Sequence, residues 1–148
     1  MEFKSVMRVN RPHITVKANE NEAVDCLVNT SLKINEVIWK SYDTEVLDRS
    51  YLPWLFNYNT RSACEYLKND TQSSFFFIHQ KIQQDTPNGA FAVHTARLYI
   101  CGATDKRSFY CEADQLTHAV TLSICKCRRP VQIMHLCTFT HNELLLHQ

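Results

Sequence analysis

Along the chain, short apolar runs alternate with polar residues at every second position. In EAVDCLV, Val24, Cys26 and Val28 fall on one face and Ala23, Asp25 and Leu27 on the other. In HAVTLSI, Val120, Leu122 and Ile124 repeat the pattern. A period of two is the signature of a strand that coats one side of a core. The pattern predicts strands near 3–9, 13–18, 23–29, 36–41, 74–80, 90–101, 107–113, 118–125 and 131–139. Clusters such as ANENE (18–22), DTPNG (85–89) and TDK (104–106) separate them, because Asn, Asp and Thr side chains supply turn hydrogen bonds. The stretch with most helical character is 44–68, and Pro53 breaks it. So many short strands between turns predict a mainly β fold, a single antiparallel β-sandwich. The sandwich is expected over 1–125, with a Cys/His-containing tail at 126–148 that holds the last strand and a short helix.

Composition narrows the function classes. A chain of 148 residues, 45% hydrophobic and 21% charged, can build a real core. A net charge of +1 gives no footprint for a nucleic-acid partner, and only CKCRRP is locally basic. No run of 18 apolar residues occurs, so no membrane span is expected. With two glycines, Gly89 and Gly102, the dinucleotide loop is excluded by their number and the Walker loop by their spacing. His13 with Thr15, and His94 beside Thr95, do not reproduce the spacing of two-histidine phosphoesterases, since Ala96 stands where a threonine is needed. No glycine-supported elbow accompanies a Ser or Cys nucleophile. No enzyme is expected. The start MEFKSVMRVN lacks an apolar run. A chain that truly begins at Met1 is therefore expected in the cytoplasm or nucleus, and one whose leader has been removed is expected outside the cell.

Aromatic residues gather in YLPWLFNY, where Tyr51, Trp54, Phe56 and Tyr58 either plug one end of a sandwich or anchor a partner. SSFFFIHQ has Phe75, Phe76 and Phe77 in succession, as a strand buried on both faces would. Two N-glycosylation tripeptides, at Asn29 and Asn69, fall at expected loops.

The seven cysteines leave two chemistries open. Five lie in 101–137, interleaved with His118, His135 and His141. Zinc takes four thiolate or imidazole ligands in a tetrahedron. Cys125, Cys127, Cys137 and His141 form the candidate set for one structural zinc, with Cys101, Cys111 or His135 as substitutes. Alternatively Cys125 and Cys127 are a pair of small strand-end residues and Cys137 a core residue.

The other constellation comprises Cys26, Trp39 in EVIWK thirteen residues later, and Tyr99-x-Cys101 in RLYICGATD. These segments resemble the B–C and F–G regions of an immunoglobulin-superfamily domain. The resemblance covers about 25–101 plus HAVTLSI. It implies an immunoglobulin-like topology with no cofactor and no catalysis, and a face or loops that bind a protein partner. It further implies that Cys26 and Cys101 are the inter-sheet pair, Trp39 the core tryptophan and Tyr99 the corner tyrosine. A second segment, DKRSFYC, competes for the same role, with Asp105 four before Phe109 and Cys111 two after it. Two functions follow as expectations. One is a non-enzymatic protein-binding module. The alternative is a small intracellular Cys/His regulatory protein with a structural zinc that recruits a partner protein.

Overall fold

The computed structural model describes residues 5–69, 73–87 and 89–125. In chain order the strands are β1 Val6–Val9, β2 His13–Lys17, β3 Glu22–Thr30, β4 Ile38–Lys40 and β5 Leu47–Asp48. A 3-10 turn at Pro53–Asn57 and a helix α1 at Thr60–Lys68 follow. The chain continues with β6 Phe75–Thr86, β7 Gly89–Ile100, β8 Arg107–Ala113 and β9 Leu116–Cys125. The strand expected at 131–139 and the tail at 126–148 lie outside the described residues.

The strands form two packed sheets, ordered β1-β3-β7-β6-β5 and β2-β9-β8-β4. In the lettering of an immunoglobulin sandwich, the first holds A, B, E and D, and the second holds C, F and G. The expectation of a mainly β sandwich with this topology holds, with one correction. The sheets are mixed, because β2 pairs parallel to β9 and β5 parallel to β6. The chain creates the first of these pairings by changing sheets between β1 and β2. Pro12 sits in that crossover and has no N–H for a ladder, while its carbonyl accepts from Thr121 N at 2.9 Å. The strand leaving it then runs beside β9 in the same direction.

Alternation dictates which side chains meet between the sheets. Val24, Cys26 and Val28 of β3 and Ala96, Leu98 and Ile100 of β7 point inward. They meet Ile14, Val16, Trp39, Phe109, Cys111, Val120 and Leu122 from the other sheet. Two links cross the gap. Cys26 and Cys111 form a disulfide with Cα atoms 6.4 Å apart. Trp39 Nε1 donates to the Ala96 carbonyl at 2.8 Å, so a residue of one sheet satisfies a backbone group of the other.

The pairing of Cys26 with Cys101 is therefore corrected: Cys26 pairs with Cys111, and Cys101 pairs with Cys64. The reason is geometric. β7 lies in the same sheet as β3, with Cys26 opposite Ala96, so Cys101 cannot face Cys26 across the sandwich. Tyr99 and Cys101 do share a face, but it is the outer one. The competing segment DKRSFYC supplies the inter-sheet cysteine instead. Phe109 occupies the position two before it and is fully buried.

The region read as a broken helix resolves into three pieces. β5 is a two-residue edge strand, Pro53 opens the 3-10 turn where its missing N–H costs nothing, and α1 starts only after Asn59. The Asn59 side chain caps α1 by accepting from Ser62 N at 2.7 Å. Ala63, Cys64 and Leu67 form its buried stripe.

Two stability changes test this account. Removing Cys26–Cys111 as the double alanine variant should cost about 4 kcal/mol of unfolding free energy, from the long loop that it closes. Trp39→Phe should cost about 1–3 kcal/mol, because the indole's hydrogen bond to the Ala96 carbonyl and part of its buried volume are lost together. Chemical denaturation measures both. An unchanged midpoint for Trp39→Phe would show that the indole bond across the sheets contributes nothing.

Candidate functional site

The outer faces of the two sheets differ in what covers them. Over the β3–β7–β6 sheet, the 3-10 turn and α1 build a second core. Leu52, Leu55, Ala63, Cys64 and Leu67 come down onto Phe76, Ile78, Tyr99 and Cys101. The Cys64–Cys101 disulfide, with Cα atoms 5.5 Å apart, fixes the helix to the end of β7. Tyr99 is buried, its phenol hydrogen-bonds the Leu55 carbonyl at 3.4 Å, and burial pushes its pKa above the usual range. Asp25 and Arg97 pair on this face at 2.6 and 3.0 Å. Hydrogen bonding to Asp25 raises the Arg97 pKa, and its guanidinium lies 4.7 Å from the Phe56 ring centroid.

This cap has an apolar outer surface as well as an apolar inner one. Tyr51, Trp54, Tyr58 and Tyr66 are 61%, 45%, 43% and 42% exposed. Trp54 and Tyr66 meet edge to face with ring centroids 6.4 Å apart. Beside them, Tyr51, Leu52, Tyr66 and Asn69 line a hollow of about 340 Å³. The short YLPWLFNY segment thus does two jobs. Leu52, Leu55 and Phe56 pack inward, and Tyr51, Trp54 and Tyr58 stand outward. Tyr66 was not legible as part of this surface. The visible signal was its place in TRSACEYLK, off the stripe formed by Ala63, Cys64 and Leu67.

The outer face of the β2-β9-β8-β4 sheet carries mostly small polar side chains, with Thr15, Ser108, Thr117, Ala119 and Thr121 among them. Two features rise from it. Tyr42 and Tyr110 lie with centroids 4.7 Å apart, and hydrogen bonding between them raises the Tyr110 pKa. Lys40 and Glu112 form an ion pair at 2.8 Å, which raises the Lys40 pKa. Burying the exposed half of one aromatic ring, roughly 100 Å² at about 25 cal/mol/Å², is worth about 2.5 kcal/mol. A threonine or alanine methyl offers a fraction of that. On this measure the aromatic cap outweighs the flat sheet face.

The candidate zinc ligands do not gather among the described residues. No group of three or more His, Cys, Asp or Glu side chains able to hold a metal ion occurs there. Cys127, Cys137 and His141, and the substitute His135, lie outside the described residues. Cys125 is disulfide-bonded, as are Cys101 and Cys111, so none of these sulfurs is a free thiolate for a metal. The two glycosylation tripeptides begin at exposed asparagines, Asn29 at the end of β3 and Asn69 at the end of α1.

The histidine–threonine pairs part company, with His13 on the edge strand β2 and His94 inside the sandwich. His94 makes a different contact. Its Nδ1 lies 2.7 Å from Nε2 of His79, with the rings stacked at 5.0 Å. Burial, reinforced by the His79 charge and by Lys81, lowers the His94 pKa to about 4, and burial lowers that of His79 despite Asp48 and Glu36.

Comparisons with known proteins add the following. No family model matches the chain, and no curated protein matches it. Among solved structures it is similar to the BIgI domain of beta protein from S. agalactiae bound to CEACAM1, at 12% identity and a TM-score of 0.38. That match covers 84% of this chain and 100% of the other. The protein's class, an immunoglobulin-like β-sandwich, rests on its own strand order and inter-sheet links.

The histidine pair predicts a pH dependence. Both folded pKa values lie below the unfolded value near 6.5, so the neutral rings favour the folded state. Their contribution is complete above pH 6.5 and is lost as the pH falls towards 4. Thermal melts of the wild type should drop through that window, and His94→Gln should flatten the drop. A profile unaltered by His94→Gln would assign the acid sensitivity to other groups.

Proposed function

We propose that this chain is a non-enzymatic protein-binding module whose contact surface is the aromatic cap formed by the 3-10 turn and α1. The observation that carries the proposal is the exposure of Tyr51, Trp54, Tyr58 and Tyr66 within one short segment. Exposed apolar patches of this kind mark interaction sites, and Trp and Tyr dominate the energetics of protein interfaces. The cap is also preorganised. Leu55 and Leu67 are fully buried beneath it and Cys64–Cys101 ties it down, so little ordering entropy remains for association. Disulfide-bonded cysteines at Cys26, Cys64, Cys101, Cys111 and Cys125 support a working environment that is oxidising. Among the described residues, no helix is long and apolar enough to cross a membrane.

Among the described residues, His79 and His94 lie within hydrogen-bonding reach of each other, and the His94 ring is fully buried. That geometry supports a structural role for the pair and a binding role for the molecule. A tetramerised, disulfide-intact chain, screened against an array of secreted proteins and membrane-protein ectodomains, provides the test. Trp54→Ala should weaken a recognised partner by about 30-fold or more, the behaviour of an interface hot spot. Ala119→Arg on the opposite sheet should leave the affinity unchanged. If Ala119→Arg abolishes binding and Trp54→Ala does not, the contact surface is the flat sheet face and the proposal is wrong.

A further inference from the structure

β6 and β7 run on beyond the rest of their sheet. β3 follows β7 only as far as Thr30 opposite Ala92, and Ala92 is in turn opposite Gln83. On the other side β5 covers β6 only at Phe76 and Phe77. Past these points the hairpin is a two-stranded ribbon, and an isolated ribbon of that kind is marginally stable in water. The outer edge of β6 is capped as far as His79. Arg49 N donates to the Phe77 carbonyl at 2.8 Å, and His79 N donates to Ser50 Oγ at 2.9 Å.

Those two bonds fix the phase of the edge: odd-numbered residues of β6 direct their backbone groups away from β7. Lys81, Gln83 and Asp85 therefore present outward N–H and C=O groups, and among the described residues these make no hydrogen bond. Neither the Lys81 nor the Asp85 side chain has an ion-pair partner there. Ile82 between them is 54% exposed. Such an edge is a template for another strand, and an unpaired charge on it rejects most candidates.

We propose that the occupant is a second copy of this chain, with two β6 strands pairing antiparallel about a two-fold axis at Gln83. The phase and the charges select this register. In a symmetric antiparallel pair an odd-numbered residue must face an odd-numbered one, so slips of one residue are excluded. A two-fold at Lys81 sets two lysines face to face, and one at Asp85 sets two aspartates face to face, both unfavourable. A two-fold at Ile82 sets Lys81 opposite the partner's Gln83, and one at Gln84 sets Asp85 opposite the partner's Gln83, so neither brings opposite charges together. At Gln83, Lys81 stands opposite the partner's Asp85, and Asp85 opposite the partner's Lys81. Ile82 lies diagonal to the partner's Ile82, within side-chain reach. The ladder also ends in the right place. His79, whose N–H is already taken by Ser50, falls opposite the partner's Pro87, which has no N–H to offer. Two marginal ribbons become one four-stranded sheet. This surface lies on an edge of the sandwich, so the inference stands apart from the proposed role of the aromatic cap.

Sedimentation equilibrium of the full, disulfide-intact chain, from about 10 μM to about 1 mM, is the test. The wild type should show a concentration-dependent monomer–dimer equilibrium. Lys81→Asp and Asp85→Lys should each raise the dissociation constant at least about tenfold, since each turns two attractive cross-strand pairs into repulsive ones. The double variant K81D/D85K should restore it to within about threefold. Gln83→Pro, which deletes the central outward N–H, should leave only monomer. A wild type that stays monomeric at about 1 mM overturns the proposal. So does a dimer insensitive to the single charge reversals, or one that the double reversal fails to rescue.

Discussion

Two β-sheets packed face to face are held about 10 Å apart by side chains alone, and something must set which residues meet. Here Trp39 does this together with the Cys26–Cys111 disulfide. Trp39 is the register partner of Cys111 on β8, so its indole and the disulfide occupy adjoining places in the core. Its ring nitrogen then reaches the opposite sheet at Ala96, beside Cys26 on the neighbouring strand. One aromatic side chain therefore fills volume, satisfies a buried carbonyl and locates both cysteines. The sheet order, the inward set of each strand and the outward direction of Tyr99 all follow from that clamp.

Because β7 turns its even-numbered residues inward, Tyr99 and Cys101 are left on the outside, where an uncovered tyrosine and cysteine would face water. The chain answers with a second layer. α1 is only nine residues long, too short to be stable alone, so it depends on its cap and on its contacts below. Asn59 supplies the cap, Cys64 the covalent tie and Leu67 the packing. The arrangement departs from a plain sandwich by giving one sheet a helical cover, whereas among the described residues no helix lies over the other sheet.

The inner face was legible because alternation is a local signal. Val24, Cys26, Val28, Val120 and Leu122 could be assigned to one core without knowing the topology. The partner of Cys26 could not, because Cys101 and Cys111 sit on strands of similar pattern, and only sheet membership distinguishes them. β5 was hidden for a related reason. A two-residue strand has no periodicity, and its identity comes from lying beside Phe76 and Phe77. The extension of β6 to Thr86 was missed because HQKIQQDT has few apolar residues, and a ribbon exposed on its edge needs few. Aromatic content pointed to YLPWLFNY, but which rings faced out depended on Pro53 and on the 3-10 geometry.

That geometry bears on how the cap could work. Leu55 and Phe56 are held from below, Leu55 by the second core and its carbonyl bond to Tyr99, and Phe56 by the Arg97 guanidinium. Arg97 is itself held by two hydrogen bonds to Asp25, on the strand that carries Cys26. Trp54 adjoins Leu55, so the position of its ring traces back through Leu55, Tyr99 and β7 to the clamp between the sheets. A side chain projecting from a flexible loop must be ordered before it can contribute to an interface. Trp54 projects from a turn whose neighbours are already fixed, and it rests edge-on against Tyr66 of a helix with a covalent tie. The same disulfides that stabilise the sandwich thus hold the exposed aromatic rings in one orientation.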